Sequence, residues 1–83
     1  MTLPDESFDL RDKIQTAIDT LPDPLRIVFV LHRFEEHTYG DIAEVLDISV
    51  KTVEGRMSRA LRLLREQLRS LLSITFFLFF HKL

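Results

Sequence analysis

The candidate chemistry of this 83-residue chain is concentrated in one stretch, VKTVEGRMSRALRLLREQLR, residues 50–69. Lys51, Arg56, Arg59, Arg62, Arg65 and Arg69 are threaded through apolar residues at helical spacing. Cations in such a row neutralise phosphates, and arginine also reads base edges. Glu54, Gly55 and Ser58 lie among them. A glutamate can accept from the amino group of cytosine. Small side chains let a helix approach a bulky partner closely. A solvated basic helix face is the competing reading of the same row.

Charge partition bears on that choice. Residues 1–48 carry a net charge of −7 and residues 49–83 a net of +5, within a chain of net −2. Such separation suggests a polyanion-binding face on the second half. Other chemistry finds less support. His32, His37 and His81 lack metal-ligand spacing, and no glycine-rich phosphate loop occurs. Glu35, Glu36 and His37 are adjacent, but side chains at a helix end are usually solvated. No enzyme and no cofactor are expected. With no cysteine, a disulfide framework or a thiolate site is excluded. The acidic start, MTLPDESFDL, does not resemble a signal peptide, so a cytoplasmic protein is expected.

The elements that must position the basic row follow from period and caps. A chain this short forms one small domain with a modest core. Residues 1–6 read as a linker remnant and residues 7–73 as the folded domain. Helical spacing recurs four times and strand-like alternation is absent. The first helix runs roughly from Ser7 to Thr20, capped by Ser7 or Asp9, with Leu10, Ile14, Ala17, Ile18 and Leu21 as its apolar stripe. LPDP then breaks the chain. Asp23 can cap a second helix with Pro24 at its first position. That helix carries Leu25, Val28, Phe29, Leu31 and His32 and ends near Glu36. Thr38 caps a short third helix, with Asp41 as the capping-box acid. Asp47 and Ile48 make a tight turn. Ser49 caps the fourth helix, which extends to about Leu72.

The spacing of the last two helices predicts a helix-turn-helix. Ala43 is small where helices would cross, and Ile42, Leu46, Ile48, Val53 and Met57 can fill the angle between them. Aspartate stands at the turn position often taken by glycine, and Asp47 tolerates a left-handed backbone better than most residues. On a helical wheel, Val53, Met57, Ala60, Leu61, Leu64, Leu68 and Leu71 form the core side of the fourth helix. Lys51, Thr52, Gly55, Ser58, Arg59 and Arg62 lie opposite. Leu63 falls off the stripe. Glycine inside a helix costs about 1 kcal/mol relative to alanine. At exposed Gly55 that cost is sensible where a partner must come near.

LPDPLRIVFVLHRFEEHTYGDIAEVLDISVKTVEGRMSRALRLLREQL, residues 21–68, resembles region 4, the C-terminal domain of bacterial sigma factors, most closely those of the extracytoplasmic-function group. Its first half carries LP…R.VF.L..FE and its second TY.DIAEVL.IS..TVE.RMSRAL..LR. The resemblance implies an all-α, four-helix domain with a helix-turn-helix in its second half. It further implies recognition of the minus-35 promoter element and docking on the β flap of RNA polymerase, with an anti-sigma factor as a possible further partner. Base-reading positions in that family follow TV, which here means Glu54, Gly55 and Ser58, with Arg59 beside them. Many relatives carry Lys or Arg and then Ser where this chain has Glu54 and Gly55. The candidate DNA-contacting set is Thr38, Ser49, Lys51, Thr52, Glu54, Gly55, Arg56, Ser58, Arg59 and Arg62. A LuxR-type response-regulator output domain shares IA…L.IS..TV, but RMSRAL favours a sigma factor. A pure protein-interaction module is the third reading.

Residues 74–83 form an apolar aromatic tail holding Phe76, Phe77, Phe79 and Phe80. The apolar stretch is shorter than the roughly 20 residues that span a bilayer. It would either fold back on its own core or dock on another chain, such as a second copy through residues 74–80.

Overall fold

The computed structural model describes the backbone of residues 10–81 and the side chains of residues 11–69. The linker remnant at residues 1–6, the caps assigned to Ser7 and Asp9, and the tail's side chains lie outside the described residues. Four helices follow one another, α1 (Leu10–Asp19), α2 (Asp23–Arg33), α3 (Tyr39–Leu46) and α4 (Val50–His81), and no strand occurs among the described residues. This is the all-α, four-helix arrangement that the periodicity predicts.

Local chemistry sets most boundaries. The Asp23 cap is corrected by one residue. Pro22 holds the N-cap position with φ −55° and ψ 144°, no side chain bonds the helix end, and Asp23 lies inside α2. There its carboxylate pairs with Arg26. Proline's extended backbone already points the chain into the helix, so the aspartate is free to serve the first turn. Nor does α2 reach Glu36. It stops at Arg33, and Glu36 takes a left-handed backbone with φ 60°. The His37 amide then donates to the Leu31 carbonyl at 3.0 Å, closing the helix end.

The third helix starts as its sequence predicts. The Asp41 amide donates to Thr38 Oγ1 at 3.0 Å, and the Thr38 amide donates to Asp41 Oδ2 at 3.2 Å. This reciprocal pair satisfies two amides that a helix start leaves open. Asp47 ends α3 in the left-handed conformation, φ 57° and ψ 49°. The Ile48 amide donates to Ala43 O at 3.0 Å and the Asp47 amide to Glu44 O at 3.3 Å. These two bonds form a Schellman motif, and half-buried Ile48 packs against the core beside it.

Helix α4 is the spine. It touches α1, α2 and α3, whereas α1 reaches the rest of the domain chiefly through α4. The core gathers Ala17, Ile18 and Leu21 from α1 and its exit, Leu25, Val28 and Phe29 from α2, Ile42 and Ala43 from α3, and Val53, Met57, Ala60 and Leu64 from α4. Buried Ala43 gives the close α3–α4 approach that a helix-turn-helix needs. Gln67 Nε2 donates to Thr20 Oγ1 at 3.2 Å, fastening the end of α1 to α4. Beyond Leu72, the expected end, α4 continues to His81. No glycine or proline follows Gly55 to stop it.

Candidate nucleic-acid interface

Burial along α4 separates its two faces. Val53 and Ala60 are fully enclosed, and Met57 and Leu64 nearly so. Lys51, Glu54, Ser58, Arg59 and Arg62 are exposed, while Thr52, Gly55 and Arg56 are half-buried. At about 100° per residue, Gly55 points almost directly away from the centre of the buried stripe, with Lys51, Ser58, Arg59 and Arg62 around it. Arg56 lies nearer the stripe, which accounts for its partial cover.

Lys51, Arg56, Arg59 and Arg62 have no ion pair among the described residues. Coulombic attraction that an internal carboxylate would absorb is therefore left for an external anion. Glu54 is likewise without an ion pair among the described residues. On the wheel it lies about 90° from the centre of the buried stripe, at the edge of the cationic face, where its carboxylate can accept hydrogen bonds from a partner.

The two helix starts that flank the turn are held by their own hydroxyls. The Thr52 amide donates to Ser49 Oγ at 3.0 Å, and the Ser49 and Thr52 hydroxyls lie 2.9 Å apart. One hydroxyl donates within that pair and the other keeps its proton for a further acceptor. Thr38 Oγ1 accepts from the Asp41 amide, and its own proton serves the Asp41 carboxylate. Thr38, Ser49 and Thr52 thus fix the helix ends first, and only the Ser49–Thr52 pair keeps a hydroxyl donor for a partner. The Thr38 amide and hydroxyl hold the Asp41 carboxyl below the usual carboxylate range, with a smaller contribution from His37.

A second surface was not anticipated. Leu61, assigned above to the core side, is instead 42% exposed. It lines a cleft of about 390 Å³ bounded also by Ile14, Ala17, Phe29, Tyr39, Leu64 and Leu68, with His32, Arg33 and Arg65 among its walls. On the wheel Leu61 is at the edge of the stripe, where no other helix closes over it. His32 Nδ1 lies 2.9 Å from the His37 carbonyl, which can only accept, so this nitrogen carries the proton. The ring packs on Tyr39 with centroids 4.9 Å apart. Leu63, off the stripe, is half-buried against the core all the same. The cleft opens on a different face of α4 from the cations. The only signal for it in the sequence is a surplus of apolar residues at the edge of the stripe. Among the described residues, no cluster of histidine and carboxylates could hold a metal ion, and no helix is long and apolar enough to cross a membrane.

The family described as Sigma-70, region 4 matches residues 11–64, which takes in α1, α2, α3 and the first half of α4. The ECF RNA polymerase sigma factor SigW of Bacillus subtilis is 43% identical over 65 residues, covering 78% of this chain and 35% of that protein. The ECF RNA polymerase sigma-E factor of Haemophilus influenzae is 32% identical over 66 residues, covering 80% of this chain and 35% of the relative. The RNA polymerase sigma-H factor of Pseudomonas aeruginosa is 39% identical over 67 residues, covering 76% and 35% respectively. The chain spans about a third of the length of these relatives. A response-regulator output domain finds no support in these matches. With the match spanning its helix-turn-helix, the chain belongs to the Sigma-70 region 4 family, of the extracytoplasmic-function type.

Proposed function

We propose that this chain recognises minus-35 promoter DNA in transcription initiation. In this reading the first turns of α4 enter the major groove, and the cleft beside α1 and α2 seats the β flap of RNA polymerase. One observation carries the DNA half: Lys51, Arg59 and Arg62 stand exposed and without an internal ion pair around Gly55, opposite the buried stripe. Phosphates would be met by Lys51, Arg56 and Arg62, and base edges by Glu54, Ser58 and Arg59. The Ser49–Thr52 hydroxyl pair would meet the backbone at the rim of the groove, with Thr38 at the start of α3 beside it. For the polymerase half, the apolar walls of the cleft suit an apolar helix, and Arg33 and Arg65 suit acidic residues at its flanks. An anti-sigma factor would compete for the same surfaces. Both principal partners belong to the cytoplasm.

The test is titration of labelled duplex DNA at several salt concentrations. With three to five phosphates neutralised, log K falls against log salt with a slope of about −3 to −4.5. Arg62→Ala weakens binding to all duplexes alike and makes the slope shallower by about 1. A flat salt response, or no binding at low salt, refutes the DNA reading.

A further inference from the structure

Helix α4 runs on well past the core it braces. Among the described residues, its last contribution to the buried core is Leu64, and Gln67 bonds Thr20 one turn later. From Leu68 the backbone continues as helix to His81, about 20 Å further at roughly 1.5 Å per residue. Residues 71–80, LLSITFFLFF, hold only Ser73 and Thr75 as polar residues. A helical segment that is apolar all round is one that is buried. Met57, Leu61, Leu64 and Leu68 stand at alternating steps of four and three residues, and Leu71, Thr75 and Leu78 continue the series. That spacing is the 3.5-residue seam along which helices pair. Within the domain the seam lines the apolar cleft, where Leu61 is left 42% exposed.

The tail cannot fill the cleft of its own chain. One unbroken helix forms both a wall of the cleft and the tail, so the tail leads away along the axis. A second copy has no such restriction. It supplies both halves of a match, an apolar cleft of about 390 Å³ and an apolar helical segment. The register agrees. An antiparallel pair of α4 helices, with its two-fold axis between positions 69 and 70, lays seam on seam. Position 78 of one copy comes level with Leu61 of the other, position 75 with Leu64, and position 71 with Leu68. Leu78 is thus level with the leucine that the domain leaves open. Thr75, the polar residue of the seam, is level with Leu64, which the domain already buries. Arg62, Glu66 and Arg69 fall outside the seam, so pairing forces no like charges together along it. A two-fold pair fills both clefts at once and closes. Each phenylalanine brings about 150–250 Å² of surface. Half the surface of the eight rings in two tails, with the matching area of the clefts, comes to roughly 1,200–2,000 Å², the size of a stable interface.

We propose that two copies of this chain pair antiparallel through α4, with residues 71–80 of each seated in the cleft beside Leu61 of the other. The inference goes beyond the DNA-binding reading and is independent of it, because the cationic face of α4 lies on the opposite side from the seam. The same cleft is proposed above as the seat of the β flap, so pairing and flap docking exclude one another.

Sedimentation equilibrium of the full chain, from low to high micromolar concentration, reads the association. Wild type should form dimers and nothing larger, since a two-fold pair leaves neither cleft open. Leu61→Lys and Leu78→Glu should each weaken the dimer by at least about 10-fold. The double variant, which sets opposite charges level with each other at both ends, should recover it. The chain has no cysteine, so introduced thiols report the register. Under copper phenanthroline and air, the Leu61→Cys/Leu78→Cys double variant should give covalent dimers, and either single variant should not. A chain that stays monomeric at every concentration, whether or not it binds vesicles of phosphatidylcholine and phosphatidylglycerol, overturns the proposal. So does a dimer that Leu61→Lys leaves intact, or a Leu61→Lys/Leu78→Glu variant no better than the singles. Cross-linking through Leu78→Cys alone, the mark of tails lying side by side, overturns it as well.

Discussion

Replacing Val53 by alanine tests the junction on which the helix-turn-helix depends. The side chain is fully buried at the start of α4, in a core that also encloses Ile42 and Ala43 of α3. The change removes two methyl groups, worth about 1.6 kcal/mol at roughly 0.8 kcal/mol each. A cavity term adds to this where neighbours cannot collapse. Collapse is restricted here, because the bonds from Ile48 to Ala43 and from Asp47 to Glu44 fix the turn between the helices. Alanine's better helix propensity returns roughly half a kcal/mol. The net cost is about 1.5–2.5 kcal/mol. A domain of this size is stable by roughly 4–12 kcal/mol, so the variant folds but melts about 6–20 °C lower. Circular dichroism melts, with urea unfolding beside them, measure the loss. Leu61→Ala is the control. The wheel puts both residues on the apolar side, yet Leu61 is 42% exposed and leaves no closed cavity, so its truncation costs only about 1–1.4 kcal/mol although it removes three carbons. Equal melting points for Val53→Ala and wild type, or a larger loss at Leu61 than at Val53, would refute the assignment of the core.

Two further substitutions probe the flanks of the turn. Asp47 holds a left-handed backbone that glycine adopts freely and alanine does not. Asp47→Ala should therefore be about 1 kcal/mol less stable than Asp47→Gly, and equal urea midpoints would show the turn to be unstrained. Asp41 has its folded-state pKa lowered by Thr38, so its contribution to stability is present above the ordinary value of 3.8 and is lost as pH falls through the depressed one. The stability gap between wild type and Asp41→Asn should accordingly shrink in acid unfolding below pH 3.8, and a gap independent of pH would contradict the capping-box assignment.

Most of what is decided within one or two turns of chain was legible in the sequence, the α2 cap at Pro22 in place of Asp23 being an exception. Thr38 and Asp41 cap α3 because a hydroxyl and a carboxylate three residues apart meet at a helix start whatever surrounds them. Ser49 caps α4 by the same local geometry, its hydroxyl accepting from the Thr52 amide. The 3.6-residue period placed Val53, Met57, Ala60 and Leu64 on the buried side and the cations opposite. Together with the short turn at Asp47, these local facts made the helix-turn-helix readable. Other features depended on which element lies over which. Leu61 shares the apolar side of the wheel, but whether an edge residue is covered depends on the neighbouring helices. The arrangement of α1 and α2 left it open, and the cleft is the result. Leu63 has the reverse history, off the stripe and yet packed against the core. Glu36 could have continued α2, and the three-dimensional path to Thr38 made it left-handed instead. Gly55 combines both kinds of information. Its identity and its direction away from the core follow from the chain and the helical period. That nothing but the Arg59 guanidinium borders its missing side chain is set by the folded arrangement, because the contents of a space depend on every side chain that could have reached it.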